Sequence, residues 1–202
     1  KLQVLYQQMV QYDKAIEYGE KALEKARTLK NPFFLAQTLI NLAGSHMQKR
    51  NPEKVKPLLT EALGIARQLN NLELEANTIL SLGQLALNEG DYTTAKQHWE
   101  KSLSLYRQLG SAEGEAIALR AMAKYYLHQK DFTTAKKLAL QSLEITEKNN
   151  YRAEYAWTSD ILSNIAFVSG DLKAGEKYTT QRNDAFIAMI KELVWQRSAN
   201  LE

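Results

Sequence analysis

Apolar and polar residues follow one another along this chain with the spacing of amphipathic helices, and the pattern returns at a fixed interval. From Leu72 to Ser111, two apolar-faced stretches flank the turn Asn88-Glu89-Gly90-Asp91. Forty residues further on the same arrangement recurs, with Asp91-Tyr92-Thr93-Thr94-Ala95 falling under Asp131-Phe132-Thr133-Thr134-Ala135. A constant period of this length predicts stacked helix pairs, each burying its neighbour's apolar face. The step runs through the whole chain. Tyr12, Pro52, Tyr92, Phe132 and Leu172 open the second helix of successive pairs, and Ala15, Val55, Ala95, Ala135 and Gly175 follow three places on. In the first helix an apolar residue precedes a small one at Leu42-Ala43, Leu82-Gly83, Met122-Ala123 and Leu162-Ser163. Later in the second helix come Ala22, Ala62, Ser102 and Ser142. Small residues at matching points let two backbones approach, while large ones between them fill the grooves.

The period divides the chain into one array over residues 1–202, with repeats at about 1–31 (partial), 32–71, 72–111, 112–151 and 152–198. Lys1 to Met9 align with the second half of a first helix, Leu2 with Leu42 and Tyr6 with His46 and Tyr126, so the chain is expected to be a segment of a longer protein. Pro32 and Pro52 suit a first helical position, where no amide hydrogen is needed. Pro57 lies about a turn inside, where strain or a slight kink is expected. Gly44-Ser45-His46-Met47 has the look of a cloning scar, but four inserted residues would break the 40-residue register, so they belong to the repeat. The terminal Leu201-Glu202 is set aside as possible vector sequence.

These columns resemble the tetratricopeptide repeat. Its pattern of large apolar residue, Leu-Gly, Tyr, Ala, aromatic and Ala is held by Ile79, Leu82-Gly83, Ala86, Ala95, Trp99 and Ser102, and next by Leu119, Met122-Ala123, Tyr126, Ala135, Ala139 and Ser142. The usual repeat is about 34 residues. Here both helices are longer, about 17 to 19 residues or roughly 27 Å. That resembles the extended repeats of bacterial transcriptional activators, sensor kinases, peptide-response regulators and kinesin light chains. The resemblance implies an all-α, right-handed superhelical solenoid of antiparallel helix pairs. A HEAT-like array also fits a 40-residue period. The small-residue columns and the Gly-Asp turn favour the tetratricopeptide reading.

The last pair departs from the pattern. Gly175, Thr179 and Arg182 replace the usual packing residues in its second helix, which also overruns the repeat length. Beyond them Phe186, Ile190, Leu193 and Val194 form an apolar stripe at helical spacing, joined by Ile187 and Trp195. Two readings stand: this face packs back on the array or under a further helix, or it is a dimer seam or domain junction.

Composition narrows the function. The net charge is +3, from 26 basic and 23 acidic residues, with no basic run interleaved with aromatics. Nothing calls for a nucleic-acid or anionic-membrane partner. There is no cysteine, so no disulfide framework and no thiolate metal site, and a reducing compartment fits. No apolar run approaches the roughly 18 residues needed to cross a bilayer, and no secretory signal is visible; a cytoplasmic location is expected. His46, His98 and His128 lie in three different helices without metal-ligand spacing. Gly110 and Gly114 miss both nucleotide-binding fingerprints, and no serine sits in a Gly-x-Ser-x-Gly elbow. No enzyme chemistry and no cofactor are expected.

In the arrangement the resemblance implies, first helices line a concave face and second helices the outside. Counting from the Leu-Gly column, inward positions hold Ile40 and Gly44, Leu80 and Gln84, Arg120 and Lys124, then Asp160 and Asn164. A turn earlier come Gln37, Asn77, Ile117 and Trp157. Some members of the family hold a chaperone's terminal carboxylate with Lys and Asn at such a pair; the pairs here do not support that specificity. Arg120 and Lys124, one turn apart, can present two donors to a carboxylate or phosphate, unless Asp160, the register mate of Arg120, neutralises them. Trp157 is either a stacking platform or packing. The expected function is a protein- or peptide-binding scaffold using Asn77, Gln84, Arg120, Lys124, Trp157, Asp160 and Asn164. The alternative is a regulatory sensor domain of a larger bacterial signalling or transcription-regulating protein, and self-assembly through the Phe186 to Trp195 face is a third possibility.

Overall fold

The computed structural model describes residues 11–199, with side chains as far as Glu192. Lys1 to Met9, the terminal Leu201-Glu202 and the side chains of Leu193, Val194 and Trp195 therefore lie outside the described residues. Those described form helices joined by short turns, with no strand among them. In chain order they are α1 (Tyr12–Thr28), α2 (Pro32–Gln48), α3 (Pro52–Gln68), α4 (Leu72–Asn88) and α5 (Tyr92–Leu109). Then follow α6 (Ala112–His128), α7 (Phe132–Lys148), α8 (Arg152–Val168) and α9 (Leu172–Ala199). The chain divides into two compact units, residues 1–109 and 110–202. In each, sequential helices run antiparallel and pack as pairs, the all-α solenoid architecture that the 40-residue period predicts.

The turns repeat at half that period. Arg50, Asn70, Gly90, Gly110, Lys130, Asn150 and Gly170 all have positive φ, at steps of 20 residues. The amide after the left-handed residue reaches back five residues to a helix carbonyl: Asn51 to His46, Asn71 to Ala66, Asp91 to Ala86, Asp131 to Tyr126, Tyr151 to Thr146 and Asp171 to Ala166, at 2.9 to 3.1 Å. This Schellman closure satisfies carbonyls that the helix end would otherwise leave open. Helix α1 ends differently. Its cap Leu29 is extended (ψ 130°), and Asn31-Pro32 follows at once. Starts are capped too. Asn31, Asn71 and Ser111 accept from the amides of Phe34, Leu74 and Gly114, and Asp91, Asp131 and Asp171 from those of Thr94, Thr134 and Ala174. Pro57 lies inside α3, and the helix runs on through it.

The repeated small residues sit where two helices touch. In the first unit Ala36, Leu39, Ala62, Ala66 and Leu74 form one buried cluster, and Ala43, Val55, Leu59 and Leu85 the next, so the core is a strip along α2, α3 and α4. In the second unit Ala123, Ala135, Ala139 and Leu143 close on Ile161, Leu162 and Ile165. Ser45 and His46 are buried within α2, as members of the repeat must be. At one of the tightest contacts, the indole of Trp99 closes on Gly83: a Cβ there would come within 2.5 Å of its Nε1. The same nitrogen donates to the carbonyl of Leu80 at 3.2 Å.

The serine column has a second use. The hydroxyls of Ser102 and Ser142 each donate to a carbonyl on the preceding first helix, Ala76 and Ala116, both at 2.9 Å. A buried hydroxyl thereby ties the two helices of a pair together without an unpaired polar atom. The last pair is more polar still. Ser163 donates to the carbonyl of Gly175 at 3.1 Å and lies 2.7 Å from the Thr179 hydroxyl.

Candidate functional site

On the first helices the positions that vary between repeats are mostly half-buried, because the other faces are taken up by packing. The backbones of α2 and α4 come into direct contact, as do those of α6 and α8. What remains open on each first helix is a narrow ridge, and the predicted binding residues lie along it.

In the first unit that ridge is uncharged and its polar groups are engaged. Asn77 is half-buried, and its Oδ1 accepts from the Tyr106 hydroxyl at 2.6 Å. Gln84 donates to Asn88 at 2.9 Å along its own helix, and Gln37 to Asn41 at 3.3 Å. Ile40 and Leu80 are only partly buried, so the ridge has an apolar floor.

In the second unit charge and an aromatic ring come together. Arg120 on α6 donates through Nε to Glu154 Oε2 on α8 at 2.8 Å. Its guanidinium carbon stands 5.3 Å from the ring centroid of Trp157, within cation–π range. Trp157 is 44% exposed, so it is not core packing. Lys124, one turn beyond Arg120, is exposed and forms no ion pair among the described residues. Asp160 and Asn164 share α8, with Asn164 donating to Asp160 at 3.5 Å, and Arg182 of α9 donates to the other carboxylate oxygen.

Arg120 is thus paired, though not with its register mate. Glu154 takes it, and Asp160 pairs with Arg182 instead. Glu154 is the residue that the sequence reading passed over. It occupies a column held elsewhere by Phe34, Leu74 and Gly114 and buried at the last two, and a carboxylate among those residues was the available signal. Burial pushes its carboxyl above the usual range, and the Arg120 guanidinium offsets this only in part.

The histidines stand apart from this ridge. His46 is buried with Nδ1 unpartnered, and burial holds its pKa, like that of His98, below the ordinary value. No group of three or more His, Asp or Glu positioned for a metal occurs among the described residues. None of their helices is long and apolar enough to cross a membrane. On α9, Phe186 is half-buried, while Ile187 and Ile190 are 49% and 60% exposed.

Helix pairs at a constant 40-residue step, Schellman turns in register and small-residue contacts define an all-α tandem-repeat protein. Residues 74–148 match the tetratricopeptide repeat family, and the pairs on either side share their backbone pattern, so the fold is that of a tetratricopeptide-like solenoid. Among curated proteins none matches the sequence. Solved structures do. A signal-transduction ATPase with numerous domains and a tetratricopeptide repeat sensor, from Pyrococcus horikoshii, is 18% identical with a TM-score of 0.70, over 98% of this chain and 30% of that one. BtubC from P. vanneervenii is 19% identical with a TM-score of 0.68, over 93% and 78% of the two chains. The apo form of RapI is 15% identical with a TM-score of 0.64, over 94% and 82%. At these identities the likeness is one of fold.

Proposed function

We propose that this chain is a non-enzymatic protein- or peptide-binding scaffold, and that in its second unit the α6 and α8 ridge recognises an acidic segment. The observation that carries this reading is the exposed Trp157 ring braced by the Arg120 guanidinium, beside the unpaired ammonium of Lys124. Glu154 fixes Arg120 in place, so little side-chain entropy remains to be lost when a ligand arrives. A carboxylate would pair with Lys124, and an adjoining apolar or planar side chain would cover Trp157. In the first unit, Asn77 and Gln84 would supply uncharged contacts.

Selection of short random peptides on the intact chain tests the reading. Enriched sequences should be rich in Asp and Glu, and Lys124→Ala with Trp157→Ala should weaken them by about tenfold or more. Enriched peptides that bind this variant as tightly as the wild type would overturn the assignment.

A second reading is supported by the likeness to the Pyrococcus horikoshii protein, whose repeats form a sensor. On that reading the array is the sensing part of a larger bacterial signalling or transcription-regulating protein. The full-length gene decides, since a sensor requires an effector or DNA-binding domain on the same polypeptide. The exposed Ile187 and Ile190 favour a further role for α9, with Phe186, Leu193 and Val194, as a homodimer or domain contact.

A further inference from the structure

A cavity of about 310 Å³ opens in the second unit between the end of α7, the start of α8 and the middle of α9, away from the α6 and α8 ridge. The repeat register explains why it exists. Position by position, Ile65, Leu105 and Ile145 give way to Ala185, and Gln68, Gln108 and Lys148 give way to Ala188. Both alanines line the cavity. Leu105, 4% exposed, is buried at the position where Ala185 now lines the cavity.

Charge changes in step with shape. Arg27, Arg67 and Arg107 share one register position, and in the fourth repeat it is Glu147. In the first unit Arg67 donates through Nε to Glu75 at 3.2 Å, across the junction of α3 and α4. The register mate of Glu75 is Tyr155. So where α3 and α4 supply a guanidinium and a carboxylate of their own, α7 and α8 supply a carboxylate and a phenol ring. Asp184 adds a second carboxylate, and neither it nor Glu147 is ion-paired among the described residues. The Oε1 of Gln181, in the same lining, is buried and accepts no hydrogen bond. Arg152 at the rim is already held, by Glu192 at 2.9 Å and by Asn150 at 3.3 Å. Burial raises the Tyr155 phenol, and the Glu147 charge adds to the shift, as expected of a negatively polarised cavity.

We propose that this cavity is a binding site for an alkylguanidinium group, which enters between Glu147 and Asp184, donates to Gln181 Oε1 and lies against Tyr155. It replaces from outside the arginine that the other repeats carry within. Two sources present that chemistry, an arginine side chain on a partner segment and a free guanidinium compound.

Titration of the isotope-labelled intact chain, followed by NMR, tests the site with three probes: N-acetylarginine amide, its neutral isostere N-acetylcitrulline amide, and a glycine-flanked peptide with one central arginine. The arginine probes should shift the amide signals of Glu147, Gln181 and Asp184, and the citrulline probe should not. Glu147→Gln and Asp184→Asn, both exposed positions, should each weaken binding by about tenfold with helix content unchanged. Glu147→Arg should abolish it by restoring the arginine of the other repeats. A peptide at least tenfold tighter than the amide assigns the site to a partner segment; equal affinity assigns it to a free compound. Absent shifts, citrulline binding as well as arginine, or unchanged affinity in the two carboxamide variants would overturn the proposal.

Discussion

Gly83 has no room for a side chain, because the Trp99 indole nitrogen and its neighbouring carbons crowd the place of a Cβ and Trp99 is 1% exposed. Gly83→Ala should therefore destabilise the chain by about 1–3 kcal/mol, the usual range for overpacking. Gly64 is the control. It lies in α3 with nothing within 4 Å of a built Cβ, so Gly64→Ala should stabilise by roughly 0.5–1 kcal/mol through helix propensity alone. Urea unfolding of both variants checks the pair, and a shift of the same sign in each would contradict the contact. Acid sensitivity also begins with single residues. His46 and His98 have lowered folded-state pKa values, so as the pH falls the unfolded chain binds protons first. Their contribution is complete above about pH 6.5 and is lost as the pH falls through the folded-state values. The melting temperature should drop between pH 7.5 and 5.5, and His46→Phe should flatten that drop. Asp91 and Asp131, held below the usual carboxylate range by hydrogen bonds from Thr94 and Thr134, should weaken only at still lower pH.

At the scale of the element, one turn geometry is carried by four residue types. Glycine fits a positive φ without cost, whereas Lys130 at φ 60° and Arg50 at φ 55° carry a Cβ into the left-handed region. Lys130→Gly should raise stability by about 1 kcal/mol, and Gly90→Ala should lower it by a similar amount. Denaturant midpoints measure both, and a destabilised Lys130→Gly would count against the closure described. This also shows what a sequence can and cannot disclose. The 40-residue step was legible because Ala43, Gly83, Ala123 and Ser163 must all be small to admit a neighbouring helix. The 20-residue step of the turns was hidden, since Arg, Asn, Lys and Gly share no visible property beyond tolerance of one dihedral region. Candidate ridge residues could be placed by counting, but the partner of Arg120 could not. Long side chains choose among neighbours in space: Arg120 takes Glu154 on the buried edge of α8, and Asp160 is taken by Arg182.

For the molecule as a whole, the repeat supplies two things: a strip of buried small-residue contacts, and first-helix ridges left free to vary. The strip holds the helices together, and on the proposed reading an acidic partner is chosen along the ridge of the second unit. If α9 joins two copies, Ile190→Asp with Val194→Asp should halve the mass seen by light scattering, and an unchanged mass would remove that contact from the account. Hydrogen–deuterium exchange of the intact chain, with and without an enriched acidic peptide, locates the binding surface. New protection is expected in residues 112–128 and 152–168, the first helices of the second unit, with residues 132–148 unchanged. Protection confined to residues 132–148, or none in either first helix while the peptide is bound, would contradict the proposed ridge.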